Sequence, residues 1–189
     1  ADSGDEIIAA EDLKVWFPVR RGLLRRTVDH IKAVDGISFR IPKGSTVALV
    51  GESGSGKSVV SQTIMQILPK VARVEGGEIL FNDPANDEPA VDIVQLNPNS
   101  KHMRNIRGGR ISIIFQEPMS SLSPLHTVGD QVSEAFRLHA DAGKGEVKST
   151  TQEILRLVGF PDPERALKTY PFELSGGLRQ HAMIAMALI

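Results

Sequence analysis

Cysteine is absent from all 189 residues, so this stretch holds no disulfide, iron–sulfur cluster or thiolate metal site. Long apolar runs are missing as well. None approaches the roughly 18 residues that a membrane-spanning helix needs. The start, Ala1-Asp-Ser-Gly-Asp-Glu6, is acidic and lacks both an initiator methionine and a hydrophobic signal region, which makes cytoplasm the expected compartment. Net charge is scarce too: 22 basic residues against 23 acidic ones leave −1, which argues against a nucleic-acid carrier working by bulk electrostatics. No His, Asp and Glu residues cluster at metal-ligand spacing, so a divalent cation is expected to arrive with a bound ligand.

What remains is 41% hydrophobic and 24% charged, the balance of a globular chain able to bury a core in one generous domain or two small ones. Its organising stretch is Thr46-Val-Ala-Leu-Val50 followed by Gly51-Glu52-Ser53-Gly54-Ser55-Gly56-Lys57-Ser58 and then Val59. A β-prone run, a glycine-rich loop and a helical segment starting on Lys-Ser match the phosphate-binding pattern GxxxxGK[ST]. Glycines let backbone N–H groups curl around an anion, and the helix that follows adds its partial positive end. Lys57 supplies a point charge for the outer phosphates, and the Ser58 hydroxyl suits Mg²⁺.

The other segments read in order. Ile7–Phe17 and Ile31–Ile41 have the pattern of strands, with Asp35-Gly36 as a turn or bulge. Between them Arg20-Arg-Gly-Leu-Leu-Arg-Arg26 is basic, with two leucines; such a run touches a membrane surface or an acidic partner, or is a solvated loop or hairpin tip, and the last is favoured. Val59–Leu68 reads as a helix closed by Pro69, Glu78–Phe81 and Val91–Leu96 as strands, and Lys101–Ile106 as a short helix begun by Asn99 or Ser100. Arg110-Ile-Ser-Ile-Ile-Phe115 is apolar without alternation, as a central parallel strand would be, and puts Gln116 at its C-terminal edge. Helical spacing then recurs over Thr127–His139 and Glu146–Val158, followed by a short piece over Glu164–Lys168. Finally Leu174-Ser175-Gly176-Gly177-Leu-Arg-Gln180 precedes an apolar helix to Ile189, with Ser175 as a natural N-cap.

A phosphate loop, a glutamine after an apolar strand, a helical insertion and then Leu-Ser-Gly-Gly-x-x-Gln together resemble the nucleotide-binding subunit of ABC transporters. The wording Phe115-Gln-Glu-Pro-Met-Ser-Ser-Leu-Ser-Pro124 and Leu174-Ser-Gly-Gly-Leu-Arg-Gln180 looks like the bacterial oligopeptide, dipeptide and nickel importer branch. The resemblance implies an α/β P-loop NTPase with a RecA-like core, an antiparallel β subdomain and an inserted helical subdomain. It places the core with its β subdomain over 7–118, the helical subdomain over 119–175 and the signature helix over 176–189, all within one partial nucleotide-binding domain over 1–189. The sheet is expected to be incomplete in this chain.

The resemblance also implies roles. Gly51, Glu52, Ser53, Gly54, Ser55, Gly56, Lys57, Ser58 and Val59 cradle ATP and Mg²⁺. Lys57 and Gln116 act in catalysis, and Gln116 joins Ser58 on the metal. Phe17, or its neighbour Trp16, stacks on adenine, with Phe17 preferred by spacing. Ser175, Gly176 and Gly177 contact the γ-phosphate held by a second nucleotide-binding domain, in a homo- or heterodimer. Membrane-spanning permease subunits dock near Met119–Phe136 at the inner face of the plasma membrane, served by an external solute-binding protein and without nucleic acid. The apolar strand ending in Asp-Glu that follows the signature helix in this family lies beyond Ile189, so the chain is expected to be partial, to bind nucleotide and to lack the catalytic carboxylate. Two alternatives stand beside an importer ATPase: a non-transport ABC ATPase, and a nucleotide-binding fragment without turnover.

Overall fold

The computed structural model describes residues 5–21, 26–85, 88–116, 121–140 and 142–189. The expected leucine pair of the basic run, and Met119 and Ser120 at the start of the expected docking surface, lie outside them. Two compact units divide the chain, Ala1–Arg104 and Asn105–Ile189.

In the first unit four antiparallel strands form one sheet: β1 (Glu6–Arg21), β2 (Arg26–Pro42), β3 (Arg73–Phe81) and β4 (Val91–Asp92), in the order β2-β1-β3-β4. Leu13 and Val15 of β1 are fully buried with Ile79 of β3 and Ile93, and Val34 and Phe81 are buried as well. Burying apolar side chains is what holds so small a sheet together. Arg40 ties β2 to β1 by pairing with both Glu6 (2.8 Å) and Glu11 (2.6 Å), and its guanidinium is held above the usual arginine value first by the hydrogen bond to Glu6.

The strand expectations need adjustment at both ends. β1 and β2 run on into the basic segment, so Pro18–Arg21 and Arg26–His30 are paired rather than looped. The register of β1 against β2 shifts beside Asp35, which makes the expected irregularity there a bulge. Val91–Leu96 is not one strand: after Asp92 the chain turns into a 3₁₀ helix over Ile93–Gln95. The cause is Asp92, whose carboxylate accepts from both the Ile79 and Val94 N–H groups and so favours a turn.

Two expected strands do not form ladders among the described residues. The runs 46–50 and 112–115 belong to no strand, and Arg110–Phe115 contributes only an isolated bridge between Arg107 and Ile111. An apolar run becomes a strand only when a neighbour supplies hydrogen bonds, and among the described residues neither run has one. Val50 is accordingly 89% exposed and Ile114 49%.

Helix α1 (Lys57–Ile64) stops sooner than Pro69 would require, because Gln66 turns left-handed at φ 49°. The Gln66 amide donates to the Ile93 and Leu96 carbonyls, which holds that turn. Helix α2 (Lys101–Gly109) starts as expected, with the Ser100 hydroxyl accepting from the Met103 N–H.

The second unit is helical. α3 (Val128–His139) opens with a reciprocal cap between Thr127 and Asp130, and α4 (Lys144–Leu157) follows. α5 (Pro163–Ala166) is capped by Asp162, and α6 (Gly176–Leu188) by Ser175. Val128 and Val132 of α3, Leu155 of α4 and Ala182 and Ala185 of α6 form one buried cluster, all at helical spacing. Among the described residues no helix is long and apolar enough to cross a membrane.

Candidate functional site

The glycine-rich loop is the most specialised piece of backbone in the first unit. Gly56 is the N-cap of α1 at φ 89°, and no side chain among the described residues caps the helix. The first-turn N–H groups of Lys57, Ser58 and Val59 therefore have no capping partner from a side chain, the state of a helix end that receives an anion. Gly56 is glycine for two reasons. Its φ lies where L side chains are strained, and a Cβ would fall on the Ala33 carbonyl oxygen of β2.

Lys57 turns its ammonium back across the loop. Its Nζ donates to the Gly51 carbonyl (2.7 Å), the Glu52 carbonyl (2.7 Å) and the Ser55 hydroxyl (3.2 Å). The loop thus holds a cation over its own concave side, next to a free helix end. Gly51, Glu52, Ser53, Gly54, Ser55 and Ser58 are exposed, while Gly56, Lys57 and Val59 are partly covered. The structure brings Gly51–Val59 together as one local cluster of backbone donors, hydroxyls and one ammonium. Its donor set fits Mg²⁺ on one count: Ser58 offers the hard oxygen that this ion prefers.

The other predicted residues are placed elsewhere. Phe17 lies half-buried on β1 opposite Ile31, whereas Trp16 pairs with Lys32 on the other face of the ribbon. The Lys32 ammonium sits 4.7 Å from the Trp16 ring centroid, and the Trp16 indole N–H is buried without an acceptor among the described residues. Gln116 is exposed at a bend after the apolar run.

In the second unit Ser175 accepts from the Leu178 N–H at 3.3 Å. A Cβ added at Gly176 or Gly177 would meet nothing within 4 Å. Nothing inside the described chain therefore requires glycine there. His181 on α6 is half-buried, and its buried Nδ1 has no hydrogen-bond partner among the described residues.

Two positioning residues escaped the sequence reading. Gln131 is 7% exposed, and its amide nitrogen donates to the Ser123, His126 and Thr127 carbonyls while its oxygen accepts from the Ser123 N–H. It fixes the path of 123–127, downstream of Gln116. Arg179 donates to the Pro171 carbonyl (2.8 Å) and the Phe172 carbonyl (3.4 Å), so it steadies the approach to Ser175. No local pattern announces either role. The one available signal is a polar residue beside the core positions Val128 and Val132 of a helix.

Residues 34–189 match the family model described as ABC transporter. The chain belongs to the ABC transporter family. This ABC transporter chain is 44% identical, over 186 residues, to the dipeptide transport ATP-binding protein DppD of Bacillus subtilis, covering 98% of this chain and 51% of that protein. It is 41% identical over 183 residues to the oligopeptide transport ATP-binding protein OppD of the same organism, covering 96% and 47%. The chain thus spans about half the length of the curated relatives it matches. Among solved structures it resembles the dimeric post-hydrolysis state of the ATP-binding cassette MJ0796 bound to ADP and Pi, with TM-score 0.75 and 23% identity, over 96% of this chain and 68% of that one. The fold is that of an ABC ATPase cassette, a P-loop NTPase of mixed α/β type carrying an antiparallel sheet.

Proposed function

We propose that this chain carries the ATP-binding part of a peptide-importing ABC transporter subunit. The observation that carries this reading is the loop at Gly51–Val59, where an uncapped helix start, a glycine locked against β2 and the Lys57 ammonium share one concave backbone. In this reading the first-turn N–H groups and Lys57 bind the triphosphate, Ser58 and Gln116 ligate Mg²⁺, and Phe17 stacks on adenine. Mg²⁺ supplies charge neutralisation on the β- and γ-phosphates when bound. The residues of this chain bind, orient and neutralise; phosphoryl transfer asks mostly that of a protein.

Ser175, Gly176 and Gly177 serve the γ-phosphate of ATP held by a second nucleotide-binding domain. The open space around both glycines supports this, since it leaves the α6 N-terminus accessible to a ligand from outside the chain. ATP then joins two domains, and loss of the γ-phosphate releases them, a two-state device that can drive a membrane partner. Peptides as cargo rest on the names of the relatives, and a location at the cytoplasmic face of the membrane follows from that role.

The test is uptake of a labelled dipeptide by cells whose full-length subunit carries Gly177→Val. Uptake is expected to fall to background while ATP binding to the isolated subunit stays within about twofold. Wild-type uptake in that strain would contradict the proposal.

A further inference from the structure

A cavity of about 450 Å³ opens between α3 and α4 in the second unit, and the nucleotide reading uses none of the residues around it. Ser133 and Arg137 line it from α3, one helical turn apart, and Lys144, Val147 and Lys148 line it from α4, also within about a turn. Ser133 is 6% exposed. Its hydroxyl accepts from the Arg137 guanidinium at 2.7 Å and donates to the Asp130 carbonyl at 3.0 Å. A buried hydroxyl thus fixes one edge of the guanidinium, and the other donors of that fork have no partner among the described residues.

The charges around the cavity are one-sided. Arg137, Lys144 and Lys148 all line it, and among the described residues none of them forms an ion pair. Lys144 and Lys148 stand four apart on one helix, a spacing at which like charges oppose each other. Among the described residues the only lining carboxylate is that of Asp130. It is taken up by the Thr127 hydroxyl (2.7 Å) and N–H (3.3 Å), and along the helix axis it stands about 10 Å from Arg137. The carbonyls that end α3 carry about half a negative charge, and the N–H groups that start α4, which no side chain caps, carry about half a positive one. The two helix ends offset each other and leave the cations unanswered.

We propose that this cavity binds a small organic phosphate. A phosphoryl dianion accepts two hydrogen bonds from a guanidinium fork and further ones from ammonium groups, and it neutralises charge that the chain itself leaves unpaired. Because Ser133 already holds Arg137, that side chain loses little freedom on binding. Val147, 5% exposed, and Leu167 supply an apolar wall for a carbon body. The volume is in the range of small-molecule sites and larger than a bare phosphate fills. The proposal does not depend on the nucleotide reading.

Titration of the full chain with glucose 6-phosphate, followed by backbone amide shifts, tests it. Saturable shifts are expected at Ser133, Arg137, Lys144 and Lys148, equally in the wild type and in Lys57→Ala. Inorganic phosphate is expected to move the same amides with lower affinity, and glucose to leave them unmoved. Each charged hydrogen bond lost accounts for about tenfold or more, so Arg137→Gln with Lys148→Gln lowers the affinity on the order of 100-fold. Ser133→Ala keeps every charge and lowers it roughly threefold, the effect of losing a neutral hydrogen bond that orients Arg137. The amides of Ala182 and Ala185, buried in the same unit, keep their shifts in both variants, which shows that the unit is folded. Absence of saturable shifts at the four residues, equal shifts with sodium chloride at matched ionic strength, or tighter binding of inorganic phosphate would each overturn the proposal. So would a response to polyglutamate in place of glucose 6-phosphate, or undiminished affinity in the double variant. Failure of the nucleotide reading would appear separately, as Mg²⁺-ATP that leaves Gly51–Val59 undisturbed.

Discussion

Replacing Lys57 with alanine is expected to weaken ATP binding by about 2 to 3 kcal/mol, roughly 30- to 150-fold, while leaving the melting temperature nearly unchanged. The two halves of this expectation have different causes. Within the loop, Lys57 Nζ donates to the Gly51 and Glu52 carbonyls and to the Ser55 hydroxyl. These acceptors belong to exposed residues, so water replaces the ammonium at small cost. Against a triphosphate the same ammonium becomes a charge-assisted donor beside the helix end, and water is a poor substitute. Isothermal titration of the variant and the wild type with Mg²⁺-ATP, alongside thermal melts, reads both quantities. Equal affinities would remove Lys57 from the site; a large loss of stability would make it a structural residue instead.

The second large effect is expected at Gly56. Gly56→Ala places a Cβ at φ 89° and on the Ala33 carbonyl oxygen. The left-handed strain costs about 1 to 2 kcal/mol, and the overlap about 1 to 3 more. Ala33 is itself the unpaired bulge residue of β2, held between Lys32 and Val34, which pair with Trp16 and Val15. It cannot move far without disturbing that ladder, so the loop and the start of α1 must move instead. Gly54→Ala is the internal control. Its φ is 83°, but a Cβ there would meet nothing within 4 Å, so only the strain of about 1 to 2 kcal/mol applies. Chemical denaturation of the two variants is expected to rank Gly56→Ala well below Gly54→Ala. Equal losses would mean that the loop does not press against β2.

Much of this was legible in the sequence, and the reasons for the remainder are specific. The phosphate loop, the Ser175 and Ser100 caps and the spacing of α3 and α4 are local signals, carried by residues that act on their own neighbours. The Thr46–Val50 and Arg110–Phe115 readings fail because apolar character describes burial, whereas a strand is defined by its partner. The hairpin is longer than its apolar pattern because cross-strand pairing continues through arginines that no hydrophobic alternation marks. Asp92 converts an expected strand into a turn by side-chain hydrogen bonds that span 13 residues to Ile79. Gln131 likewise acts through contacts up to eight residues away. Interactions at such separations leave no trace in a short window.

The most direct test of the central claim follows backbone amide shifts of the full chain during titration with Mg²⁺-ATP. The account predicts saturable shifts concentrated in Gly51–Val59, largest at the first-turn amides of Lys57, Ser58 and Val59, and abolished by Lys57→Ala at the same ATP concentration. Saturable shifts that leave Gly51–Val59 undisturbed, or no saturable shift at all, would contradict it.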